Sequence, residues 1–248
     1  MTFKDYFSRQ AAAYAAYRPH YPVALFEWLA QQCDRCDLAW DCATGNGQAA
    51  IALADYFDQV IATDASADQL RQAPPHARVT YQVALAEDSG LAAQSVDLIT
   101  VAQAIHWFNL AAFYREVHRV IKPGGSFAIW CYGRPTLAAA KLDHHLENYY
   151  SNTLDDFWTH ERRLVEIGYR SLDFPFTELT TPTHRMQVHW TLDELMGYLF
   201  TWSATQRYIA AHNVNPLDEL SDCIRSDWDG DRSAIVFPIT VRAGKVSG

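Results

Sequence analysis

Two glycines and two aspartates carry the first chemical signal in this 248-residue chain. Gly45-x-Gly47-x-x-Ala50 follows a short apolar run, Leu38-Ala39-Trp40-Asp41-Cys42. Asp64 stands nineteen residues after Gly45, at the end of a second apolar run, Val60-Ile61-Ala62-Thr63. Glycines at such a turn leave the backbone bare, so a ligand can approach the main chain closely. An acid at the end of the following strand suits the hydroxyls of a ribose. By itself the pattern serves either a nicotinamide dinucleotide or S-adenosylmethionine (SAM).

Three features separate the two. Asp41, just before the glycines, would face the pyrophosphate of a dinucleotide unfavourably, whereas it suits the ammonium and sulfonium charges of SAM. Val120 to Phe127 reads as helix, turn and strand, with the turn at Lys122-Pro123-Gly124-Gly125. Ala86-Glu87-Asp88 follows a third strand, Val79 to Val83, and is placed to border an adenine.

These residues need a scaffold of alternating elements. Residues 23–32 and 48–56 read as helices, and a further helix starts at Ser66, a good N-cap, and stops before Pro74-Pro75. Val96 to Ala102 reads as a fourth strand, Leu110 to Val120 as a helix and Ser126 to Cys131 as a fifth strand. The alternation predicts a doubly wound α/β fold with a mostly parallel sheet. After residue 133 the pattern becomes helical, at 137–154, 157–167, 192–201, 205–211 and 217–226, with a possible strand at 186–190 and a closing strand at 235–242. The expected organisation is one domain over residues 1–248, with residues 133–230 forming a helical, substrate-side insertion before the last strand.

Composition narrows the partners. Hydrophobic residues make up 49% of the chain, enough for a substantial core. The formal net charge of −9 disfavours nucleic acid. The first residues lack a signal-peptide pattern, and no apolar run is long enough to span a membrane, so a cytoplasmic protein is expected, monomeric or a small homo-oligomer. Cys33-x-x-Cys36 has no second pair and no histidine at zinc spacing, so it reads as two incidental thiols and no metal site is expected.

In motif order the chain resembles the class I SAM-dependent methyltransferases of the type 11-like kind, specifically the small-molecule group that includes the trans-aconitate methyltransferases. The residues that carry the likeness are Tyr14-x-x-Tyr17-Arg18-Pro19-x-Tyr21-Pro22, Trp40 to Gln48, Ala62-Thr63-Asp64, Ala86-Glu87, Ser95 to Ile99, Ala104 to Phe108 and Lys122 to Gly125. The resemblance implies a seven-stranded sheet whose last strand is antiparallel, with SAM at the carboxyl ends of the strands. The family usually has Gly where this chain has Ala43, a change of little cost if φ is negative there. Leu85 stands where an acid often meets the adenine amino group.

The expected roles follow. Asp64 takes the ribose hydroxyls, Asp41 orders the loop and the ammonium end, and Ala43, Gly45 and Gly47 line the close approach. Ala86 and Glu87 border the adenine, and Gln103 meets the methionine part. Tyr14 and Arg18 come from a segment expected to fold over the cofactor, Arg18 pairing a carboxylate of SAM or of the substrate. Tyr17, His106 and Trp107 border the substrate, and His106 is either a general base or a packed histidine at a helix start. Trp158, Trp190, Trp202 and Tyr198 are candidates for an aromatic roof. The expected activity is in-line methyl transfer to a small molecule, such as a carboxylate. The alternatives are a protein methyltransferase, a SAM-binding protein without catalysis and, last, a nicotinamide oxidoreductase.

Overall fold

The computed structural model describes residues 19–228 and 230–246. Five strands run parallel: β1 (Leu38–Cys42), β2 (Gln59–Asp64), β3 (Val79–Val83), β4 (Val96–Ala102) and β5 (Ile121–Tyr132). Their order in the sheet is β3-β2-β1-β4-β5. Between them lie α1 (Val23–Gln31, preceding β1), α2 (Gln48–Leu53), α3 (Ala67–Leu70) and α4 (Leu110–Val120). The caps follow from sequence. The Ser66 hydroxyl accepts Gln69 N–H at the start of α3, and Asn109 Oδ1 accepts Ala112 N–H at the start of α4.

Successive residues of a strand face opposite sides of the sheet. Phe127, Ile129 and Cys131 of β5 join one hydrophobic cluster, and Ala128, Trp130 and Tyr132 join the other. Both faces are therefore covered, which explains why the parallel strands read as nearly continuous apolar runs.

The later chain adds β6 (Thr136–Leu137), α5 (Ala140–Asn148), α6 (Arg162–Glu166), β7 (Thr177–Glu178), β8 (His184–Trp190), α7 (Leu192–Phe200), α8 (Ser203–His212), α9 (Pro216–Arg225) and β9 (Ser233–Lys245). β9 is antiparallel to β5, and its residues also pair with β6, β7 and β8. Residue Ile239 pairs with Tyr132 on one edge and His184 on the other. β5 and β6 therefore share one edge of β9, and β7 and β8 the other. The nine strands occupy seven positions, as the expected seven-stranded plan requires.

Three local expectations are corrected. Lys122 to Gly125 is not a free turn but part of β5, with a register shift opposite Val96 to Leu98. Lys122 Nζ lies 2.7 Å from Asp97 Oδ1, and Asp97 Oδ2 accepts the backbone N–H groups of Asp37 and Leu38. This cluster ties β1, β4 and β5 together at their amino-terminal ends. The helix expected over 137–154 begins only at Ala140 and passes into a π-helical turn at Tyr149–Thr153. The helix expected over 157–167 shrinks to α6, and three short strands share the stretch 133–230 with the helices. Among the described residues no helix is long and apolar enough to cross a membrane.

Candidate active site

The parallel strands set the site at the point where the sheet order reverses, between β1 and β4. β1 ends at Cys42, and the chain then turns through Ala43 at φ 54°, Gly45 at φ 60° and Gly47 at φ 82°. All three lie in the left-handed region. Ala43 does so without glycine's freedom, so the condition under which Ala costs little there, a negative φ, is not met.

Asp41 is 1% exposed and serves the turn from below. Its Oδ2 accepts the Thr44 hydroxyl at 2.5 Å and its Oδ1 the Thr100 hydroxyl at 2.8 Å. Burial pushes its carboxyl up to about 6, against the lowering effect of those bonds. Asp64, half-buried at the end of β2, accepts Gly45 N–H through Oδ2 at 2.9 Å and Ser66 N–H through Oδ1 at 2.8 Å. The two aspartates thus clamp the loop from two sides. The space beside Gly45 is open, since a Cβ there would meet nothing nearer than Gln69 Oε1 at 4.0 Å. At Gly47 the close approach is internal: a Cβ would lie 2.5 Å from the Tyr81 hydroxyl oxygen.

Tyr14, Tyr17 and Arg18 lie outside the described residues. The chain that follows them is docked on the loop, because Gln48 Nε2 donates to Pro19 O at 3.0 Å. Tyr21 then packs edge-on against Trp130, 5.5 Å between ring centres.

Ala86 is buried, and Glu87 accepts the N–H of Asn109 at 2.8 Å. Ser89 of the same loop gives both its N–H and its hydroxyl to Glu116 of α4, at 2.9 and 2.5 Å. Gln103 sits at φ 57°, and its side-chain amide exchanges two hydrogen bonds with the backbone of Tyr132, locking the end of β4 to the end of β5.

His106 lies in a 3-10 turn, Ile105–Trp107, directly after β4. Its Nδ1 is 2.9 Å from the Tyr169 hydroxyl, and its ring is 4.8 Å from that of Trp107, which is 39% exposed. Burial, reinforced by the charge of Arg162, pushes the imidazole down to about 4, so it is neutral at neutral pH. Tyr169 follows Gly168 in a left-handed pair, at φ 59° and 63°, and is fully buried.

Arg162, on α6, lies 4.9 Å over the Trp158 ring, and its Nε donates to the Tyr150 hydroxyl at 3.0 Å. Trp158, Trp202, Tyr198 and Trp190 form one aromatic cluster, with ring centres 5.4 to 5.8 Å apart in sequence of contact. Sequence reasoning missed Thr100, Arg162 and Tyr169. Thr100 had a signal, a hydroxyl amid the apolar residues of its strand; Arg162 fell inside the helix expected over 157–167, and Tyr169 lies two residues beyond its end. Cys33 and Cys36 are free thiols, and among the described residues no group of three His, Cys, Asp or Glu could hold a metal.

Comparison with known proteins bears on the same fold and loop. Residues 40–129 match the model of the methyltransferase domain family. A protein of Dictyostelium discoideum that carries a methyltransferase name is 34% identical over 246 residues, covering 96% of this chain and 93% of that one. A solved structure from Anaeromyxobacter dehalogenans, described as a type II methyltransferase, is 41% identical with a TM-score of 0.88, over 93% of this chain and 98% of that one. The phosphoethanolamine N-methyltransferase 2 of Haemonchus contortus, solved with SAM, shares the fold at 18% identity and TM-score 0.51, over 99% of this chain and 58% of that one. With the seven-position sheet, the glycine turn and these similarities together, the chain belongs to the class I SAM-dependent methyltransferases.

Proposed function

We propose that the chain transfers the methyl group of SAM to a small-molecule acceptor by direct in-line displacement. The observation that carries this reading is the bond from Gly45 N–H to Asp64 Oδ2, beside open space, at the point where the sheet order reverses. It sets a carboxylate with further acceptor capacity next to a bare backbone turn, the acceptor that the hydroxyls of an adenosine ribose need.

In this reading Asp64 holds the ribose hydroxyls, and Ala43 and Gly45 give the cofactor room; Gly47, expected to do the same, instead leaves room for the Tyr81 hydroxyl. Asp41 acts through Thr44 and Thr100 to fix the loop. Ala86 and Glu87 border the adenine. Gln103, its side chain committed to Tyr132, offers the backbone of its strained turn to the methionine end. Tyr14 and Arg18 keep the cofactor role, and Tyr17 the substrate role, that the resemblance implies for them; all three lie outside the described residues. When bound, SAM supplies an electrophilic methyl on a positively charged sulfur. The protein's part is to hold the acceptor in line and to exclude water, with His106 and Trp107 below and the cluster of Trp158, Trp190, Tyr198 and Trp202 above.

Calorimetric titration with SAM, its demethylated product and NAD tests the cofactor. The expected result is SAM and product binding in the micromolar range without NAD binding; NAD binding without SAM binding would overturn the reading. Incubation with labelled SAM and a panel of carboxylic acids, phenols and amines tests catalysis, and a methylated product is expected.

A further inference from the structure

We propose that the cleft at the carboxyl end of β5 is a binding site for a small aliphatic diamine, whose two ammonium groups meet Glu147 and Glu166. The site goes beyond methyl transfer and does not rest on that reading.

The cleft has a volume of about 320 Å³ and draws on four parts of the chain. Gly133 and Arg134 leave β5, and Glu147 and Tyr150 stand at the end of α5 and in the π-helical turn after it. Glu166 closes α6, and Thr240 belongs to β9. Strand pairing explains why they meet. Thr240 lies opposite Cys131 in the ladder of β5 and β9, and opposed residues share a face of the sheet. Cys131 Sγ contacts Val165 O, which sets α6 over that face. The open space reaches the main chain at Gly133, where a Cβ would meet nothing within 4 Å.

The charges decide what can enter. Arg134 is already spent. Its Nη1 and Nη2 reach the two oxygens of Asp143 at 2.8 and 3.1 Å, and its Nε lies 2.7 Å from Glu147 Oε2. An anion would have to displace those carboxylates. Glu166 is placed differently. Its Oε1 accepts the Tyr150 hydroxyl at 2.6 Å, and that phenol, not the carboxylate, takes Arg162 Nε at 3.0 Å. Among the described residues Glu166 makes no ion pair. Three carboxylates, Asp143, Glu147 and Glu166, thus stand against two guanidiniums, Arg134 and Arg162, and one negative charge is left over. The ligand of complementary charge is a cation.

Two cationic ends fit better than one. Glu147 and Glu166 sit on different helices that wall the cleft. A carboxylate oxygen accepts more than one hydrogen bond, so Glu147 still has capacity beside Arg134 and the Ser151 hydroxyl. One exposed ammonium–carboxylate pair is weak in water, whereas two on a single ligand act together. Val165 offers apolar surface in the lining for the methylene chain between them.

The test uses the full-length protein. It is titrated, followed by ligand-detected NMR, with terminal diamines of three to six carbons, with butylamine and with the diols of the same lengths. The expected result is millimolar or tighter binding of at least one diamine, weaker binding of butylamine and none of the diols. Raising the ionic strength should weaken the diamine, because the cleft is open to solvent. Glu166→Gln keeps an acceptor for Tyr150 but removes the charge, and should weaken the best diamine about ten-fold or more. Gly133→Leu fills the cleft without touching either carboxylate and should abolish binding. Thermal melts that match the wild type exclude unfolding as the cause. The proposal is overturned if no diamine binds the wild type better than its diol. It is equally overturned if both variants bind the best diamine as the wild type does. Methyl transfer is measured separately, and its failure would leave these titrations unchanged.

Discussion

At the scale of single residues, the loop after β1 contains strain and a buried charge that its sequence only half reveals. The departure from glycine at position 43 is visible in the sequence, but the sign of its φ is not, because that depends on where the chain must go after Cys42. At φ 54°, Ala43 sits where a Cβ is unfavourable. Ala43→Gly should therefore raise stability by about 0.5–1 kcal/mol, less any gain in unfolded-chain entropy. Urea denaturation measures it, and a lower midpoint would show that the turn is unstrained. Asp41 behaves differently. Its carboxyl is raised to about 6 from an ordinary value of 3.8. Between those two values the folded chain keeps a proton that the unfolded chain has released. The contribution of this group to stability therefore falls as pH rises from about 4 to 6 and is level above. The difference is on the order of 2–3 kcal/mol. Asp41→Asn should abolish that slope, so wild type should lose stability relative to the variant across the window. Parallel profiles in urea midpoints at pH 4, 5, 6 and 7 would contradict the assignment. The sequence placed Asp41 beside the loop correctly, but not its two hydroxyl partners, since Thr100 is distant in the chain and arrives only through strand pairing.

Among the elements, α4 does more than cover the sheet. Its Glu116 receives the N–H and the hydroxyl of Ser89 and a two-point contact from Arg119 at 2.7 Å. Those partners, Arg119 first, hold its carboxyl down to about 2. A depressed carboxyl stabilises the fold at pH above its unfolded value and loses that contribution as pH falls toward 2, so acid should loosen this contact late. Glu116→Gln should cost about 1.5–3 kcal/mol, the scale of hydrogen bonds to a charged group. It should also raise the Kd for SAM severalfold, since Ser89 anchors the loop that carries Ala86 and Glu87. A thermal melt and a SAM titration of the variant check both effects, and a large loss of stability with unchanged SAM affinity would detach the loop from the cofactor. The same scale explains what was legible. Apolar runs located β1, β2 and β4, because central parallel strands buried on both faces are mostly apolar, whereas β3, at the sheet edge, is largely exposed. The Lys122 to Gly125 segment misled because its Pro and two Gly spell a turn, whereas pairing with β4 across a register shift keeps it in the strand. Strands β6 and β7, of two residues each, are too short to carry a period.

For the whole molecule, the decisive element is β9, and its double duty was not legible at all. A single chain shows that residues 235–242 alternate, but not that thirteen residues reach two neighbours on either edge. One edge of β9 takes β5, the last parallel strand of the cofactor half, and the other takes β8, which leads into α7. The stretch after residue 133 is therefore bound to the glycine-loop half through a shared ladder rather than through a linker. This coupling predicts one cooperative unfolding transition. Trp40 and Trp130 report from the parallel half, and Trp158, Trp190 and Trp202 from the later stretch. Tryptophan fluorescence and far-UV circular dichroism should then trace the same denaturation curve. Val241, paired with Trp130 across β5 and β9, is the sensitive position. Val241→Pro removes an N–H from the ladder and should cost about 3 kcal/mol or more. It should shift both signals together and weaken SAM binding only to the extent that the whole fold is lost. Two separated transitions, in the wild type or the variant, would mean that the aromatic cluster opens independently of the cofactor half, and the acceptor pocket would then form only when the two halves meet.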